Sequence, residues 1–123
     1  MPVGDEAVRA FRKFARICPN ADSLAYFDLC TRLRGSCHSE REALRLLAVY
    51  DMLRFLEAEG KNETVDAVKA IYFSCHGRTP RKNEITYRVR GFSLESSMDE
   101  RTVWRRLEEA KALYLKLVSK IGD

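Results

Sequence analysis

Three observations predict an all-α fold, a compact bundle of five or six helices. Apolar residues recur at alternating steps of three and four along most of the chain, the spacing that lines up one stripe on a helix. No stretch keeps up the two-residue alternation of a half-buried strand. Only three prolines and six glycines interrupt the 123 residues, and most of them fall between the stripes. With 46% hydrophobic and 33% charged residues the chain can bury a core, and its length suits one domain, or one domain with an appendage.

The first helix is expected from Asp5 to about Cys18. Val8, Phe11, Phe14, Ala15 and Cys18 form its apolar face, and Arg9, Arg12, Lys13 and Arg16 its wet one. Pro19-Asn20 ends it, and Asn20 or Asp22 can cap a second helix that runs to about Arg34 and stops at Gly35. The third opens on the capping box Ser39-Glu40-Arg41-Glu42, continues through Leu44, Leu47, Tyr50 and Leu53 to Glu59, and closes at Gly60. Asn62 can cap a fourth, whose Val65, Val68, Ile71, Tyr72 and Cys75 face inward until Gly77. Thr79-Pro80, a capping hydroxyl before a first-turn proline, starts a fifth that carries Ile85 and Val89 to Gly91. Phe92 to Met98 reads as a short helical turn capped by Ser93.

The last helix organises the rest. Asp99 can cap it, its carboxylate accepting free N–H groups and meeting the positive end of the helix dipole. Val103, Leu107, Ala110, Tyr114, Leu117 and Ile121 stack into one stripe. Stepping 100° per residue then puts Arg101 and Arg105 on the solvent side, Thr102 and Arg106 on one flank, and Trp104 on the other. A helix whose first turns project two arginines and a threonine while its later turns are held down has the form of a major-groove reader.

Charge points to the same region. The chain has 22 Lys+Arg against 18 Asp+Glu. Between Arg78 and Arg106 stand eight basic residues and four acidic ones, so this block holds the whole surplus. A polyanion is the natural partner, because cations near phosphates release condensed counterions; the plain alternative is a solvated basic loop.

Other classes have less support. No apolar run reaches the ~20 residues of a membrane span, and Asp5, Glu6, Arg9, Arg12 and Lys13 break up any signal core. A cytoplasmic protein with reduced cysteines is therefore expected, and no membrane partner. The repeated tetrads Ser36-Cys37-His38-Ser39 and Ser74-Cys75-His76-Gly77 lack the gaps of a zinc site, and Cys75 suits the buried face of its helix. With two helix-end histidines, scattered glycines and carboxylates on wet faces, no enzyme, metal or cofactor is expected. Trp104 suits core packing against the fifth helix, with DNA-backbone or partner contact as the alternatives, and Tyr87, Arg88 and Arg90 are either phosphate contacts or an ordinary exposed face.

Arg81-Lys82-Asn83-Glu84-Ile85, followed by Asp99-Glu100-Arg101-Thr102-Val103-Trp104-Arg105-Arg106-Leu107-Glu108-Glu109-Ala110, carries a resemblance. The block resembles the helix-turn-helix of phage and mobile-element regulators of the ArpU/RinA type, themselves similar to region four of bacterial sigma factors. It covers about the last 45 residues. The resemblance implies a sequence-specific, double-stranded-DNA-binding transcriptional regulator, with 1–77 as helical support and 78–123 as the DNA-binding unit. Carried over by position, Arg101, Thr102, Arg105 and Arg106 would touch DNA, and Ile85, Val103 and Leu107 would form the motif's core. Arg78, Arg81 and Lys82 would track the backbone, with Arg88 and Trp104 as further contacts. One departure stands out: the gap from Ile85 to Asp99 exceeds the sigma-type turn by roughly one or two helical turns and contains Gly91 and Phe92, which implies a split or displaced supporting helix. RNA polymerase, and a second copy paired through the C-terminal helix, are the further partners this reading suggests. The rival reading is a helical protein-interaction module that turns its basic face to an acidic surface of polymerase, a nuclease or another regulator.

Overall fold

The computed structural model describes residues 3–73 and 83–121, and among these it has six α-helices, one 3-10 turn and no strand. The first helix, α1, spans Val3–Ile17 and buries Ala7, Phe11 and Phe14. The chain then departs from expectation. Asn20 and Asp22 cap no α-helix; they belong to a 3-10 turn at Ala21–Ser23, and the Asp22 carboxylate is paired with Lys69 at 2.8 Å. Helix α2 follows at Tyr26–Ser36, opened by extended Ala25 and running through Gly35 rather than stopping there. Nothing at Gly35 requires a left-handed backbone, so the glycine costs some helix propensity without ending the helix.

Helix α3, Glu40–Ala58, begins as the capping box predicts on one side: the Ser39 hydroxyl accepts from the Glu42 N–H at 3.1 Å. On the other side the Glu42 carboxylate reaches past Ser39 to accept from the His38 N–H at 3.3 Å, and it also takes Lys13 Nζ at 2.7 Å. That ion pair, more than the other contacts, holds the Glu42 carboxyl below the usual glutamate range. Gly60, with φ of +77°, ends the helix in the left-handed conformation that favours glycine; its N–H donates to Glu57 and that of Lys61 to Leu56. Helix α4 is Asn62–Ile71, with Lys61 at the cap position and Asn62 already inside the first turn, so Asn62 is not the cap. Cys75, the second Cys-His tetrad and the Thr79-Pro80 start signal lie outside the described residues. Helix α5 spans Glu84–Ser96 and α6 spans Glu100–Ser119.

Helix α6 is the central strut, packed on α1, α3, α4 and α5. Its stripe is used internally: Val103, Leu107, Ala110 and Tyr114 are buried, and Leu117 and Ile121 are half-buried against the same core. Little of that stripe is left to pair with a second chain. Phe11 wedges between Tyr72 (centroids 5.8 Å apart) and Tyr114 (5.6 Å), tying α1 to α4 and α6. Helix α2 lies on α1 and α3, and α5 on α4 and α6. No helix among the described residues is long and apolar enough to cross a membrane.

Candidate nucleic-acid interface

The candidate site is the hairpin of α5 and α6. Contrary to expectation, α5 does not stop at Gly91: it continues to Ser96, and Phe92 to Met98 is no separate turn. A Cβ at Gly91 would meet nothing within 4 Å, and burial of Val89 with partial burial of Phe92 holds the helix on both sides of it. The connection to α6 is therefore only Ser97-Met98-Asp99. The long gap counted from Ile85 is helix.

Ser93 organises this turn, though not as the cap of a new helix. Its carbonyl accepts from the N–H groups of Ser97 and Met98, and its hydroxyl donates to the Met98 carbonyl. This is a left-handed helix end of the kind usually built on glycine, here with Ser97 at φ +59°. Asp99 stands at the cap position of α6 through its main chain, its carbonyl accepting from Val103 N–H at 3.0 Å, but its carboxylate makes no capping hydrogen bond.

From that turn α6 presents its first residues as the stripe requires. Arg101 and Arg105 are exposed and have no ion-pair partner among the described residues. Thr102, Trp104 and Arg106 are half-buried, with Trp104 packed against the core. Arg106 leans toward the start of α4, into a cleft lined by Gly60, Lys61, Asn62, Glu63 and Thr64, where its Nε is buried with no hydrogen-bond partner among the described residues. Lys61 and Thr64 meet Glu109 of α6 at 3.5 and 3.4 Å, which fixes that end of α4 beside the candidate surface. Sequence reasoning missed this neighbour, since no local pattern links residues so far apart.

Arg88 is placed differently from the phosphate contact expected of it. Its Nε and one terminal nitrogen donate to a single Glu84 oxygen at 3.0 and 2.7 Å, and both side chains are mostly covered. Arg88 is thus engaged within α5. Arg78, Arg81 and Lys82 lie outside the described residues. Glu63, which also borders the Arg106 cleft, joins Asp66 and Glu95 in lining a neighbouring cleft with Phe92 and Met98, so carboxylates lie close to the arginines of α6.

Burial, with a hydrogen bond to Glu42, pushes the Cys37 thiol above its ordinary value. Comparison with protein-family models, curated proteins and solved structures finds no match to this chain.

Proposed function

We propose that the chain is a sequence-specific double-stranded-DNA-binding regulator, of the kind found in phages and mobile elements, that reads the major groove with the first turns of α6. The observation that carries this reading is the three-residue turn that delivers α6 with Arg101 and Arg105 exposed and without an ion-pair partner among the described residues. An arginine fork matches the O6/N7 edge of guanine or a phosphate, and the buried Val103–Leu107 face keeps the two arginines outward. Thr102 and Arg106, half-covered on the flank, suit backbone contact, and Trp104 braces the helix from the other side. The resemblance to ArpU/RinA-type regulators supports the same assignment, residue by residue, over Arg101, Thr102, Arg105 and Arg106.

The test is fluorescence anisotropy of the full chain with duplexes selected from a random pool, repeated across a salt series. Salt-sensitive binding is expected. Arg105→Ala should weaken it by about 1–3 kcal/mol and relax sequence preference if the contact is to a base, and should reduce the salt slope by about one if it is to a phosphate. Failure to bind any duplex at low ionic strength would sink this reading and favour a protein partner for the basic face.

A further inference from the structure

A cavity of about 190 Å³ opens between the chain that follows α1, one face of α3 and the end of α4. Tyr50, Leu53, Arg54 and Glu57 recur at steps of three and four, so they line it from a single side of α3. Lys69 and Phe73, four residues apart, line it from α4, and Cys18, Ala21 and Asp22 from the segment after α1. Leu53 and Cys18 are buried and make an apolar floor. Tyr50 and Phe73 form aromatic walls, and each is braced by a ring that does not line the cavity. Tyr26 stands 5.9 Å from Tyr50, and Phe14 stands 5.9 Å from Phe73. The walls are therefore set before anything enters, which lowers the ordering cost of binding.

The rim carries two cations and two anions in two unlike pairs. Lys69 and Asp22 meet at 2.8 Å and tie α4 to the 3-10 turn. Arg54 and Glu57 meet only at 3.8 Å, and the Arg54 side chain is 67% exposed. A pair of this kind contributes little and gives way readily to better partners. The Arg54 guanidinium also lies over the Tyr50 ring at 5.9 Å, so its charge stands at the edge of an aromatic wall. A singly charged ligand that opened the Arg54–Glu57 pair would satisfy one member and orphan the other. A ligand with both signs satisfies the two together. Size narrows the choice further. The space exceeds the ~150 Å³ cavity that holds one benzene ring and falls short of a drug-sized site, so it suits one ring or one branched aliphatic group.

We infer that this cavity binds a free α-amino acid with an aromatic or branched apolar side chain. The side chain lies between Tyr50 and Phe73 above Leu53 and Cys18, the carboxylate meets the Arg54 fork, and the ammonium meets Glu57. An apolar floor, aromatic walls and a loosely joined cation and anion at the mouth are the complement of such a zwitterion. A residue within a peptide brings neither charge to that place, so the rim selects the free amino acid. The inference does not rest on the DNA-binding reading, since no lining residue belongs to α5 or α6.

Titration of the full chain, without DNA, with L-phenylalanine in two-dimensional ¹H–¹⁵N spectra tests this. Saturable shifts are expected at residues 18–22, 50–57 and 69–73, with half-saturation at or below about 1 mM. Two analogues, 3-phenylpropionate without the ammonium and phenethylamine without the carboxylate, should each bind roughly tenfold more weakly. Arg54→Gln changes an exposed side chain and should keep the native circular dichroism. It should weaken phenylalanine by roughly tenfold and leave phenethylamine no weaker, a difference that a merely structural role would not produce. Ala21→Phe sets a ring at the mouth and should abolish the shifts; where it loses the helical spectrum, the Arg54 variant decides. Absence of saturable shifts up to ten times the expected concentration overturns the inference. So do shifts gathered elsewhere, or a singly charged analogue that binds as tightly as phenylalanine.

Discussion

Burial pushes the Tyr114 phenol up to about 12, with Glu6 adding to the effect and Arg45 opposing it. Because the folded-state value lies above the ordinary one near 10, the stability tied to the neutral phenol is fully present below about pH 10 and is lost as pH rises toward 12. Tyr114→Phe keeps the ring against Phe11 and removes the titrating proton. Urea unfolding across pH 9 to 12 should therefore show a shallower alkaline loss for the variant than for the parent, and equal slopes would contradict the assignment. Other residue-level features were only partly readable. Periodicity was enough to expose Arg101 and Arg105, because alternating steps of four and three onward from Val103 land on Leu107, Ala110, Tyr114, Leu117 and Ile121. The caps assigned to Asn62 and Asp99 were not, since a cap needs a particular side-chain geometry, and these two do not adopt it.

Elements were legible where burial and local propensity agree. The long runs of α1, α3 and α6 carry unbroken stripes and fall close to their expected bounds. Gly91 has the look of a helix end but lies inside α5, because an interior glycine costs only about 1 kcal/mol against alanine, which packing of Val89 and Phe92 offsets, whereas α2 ends at Ser36, one residue past Gly35. The true end of α5 is Ser97, a residue type that predicts no left-handed turn. Ser97→Gly should relieve that conformation and stabilise the fold by about 0.5–1 kcal/mol, measured as a higher denaturant midpoint at unchanged slope. A lower midpoint would mean that the serine side chain contributes more than its backbone conformation costs.

One core joins the two stretches that the sequence divides near Gly77. Helix α4 belongs to the first stretch yet packs on α5 and α6 of the second, and α6 reaches back to α1 and α3. Leu107 is fully buried where these helices converge. Leu107→Ala should lower the unfolding free energy by about 2–5 kcal/mol through lost burial and a residual cavity. The loss should appear in a single cooperative transition followed by circular dichroism; two separated transitions would mean that residues 78–123 fold as an independent unit.

From the order of residues alone come the helical class, the stripe of α6 and the outward arginines, because each depends on neighbours within a few turns of one helix. Folding settles which residues of different helices lie side by side: Arg106 beside Gly60, Asp51 near Tyr26, and Phe11 between Tyr72 and Tyr114. Those pairings are fixed by how the stripes of several helices share one interior, a competition for burial that no local spacing records.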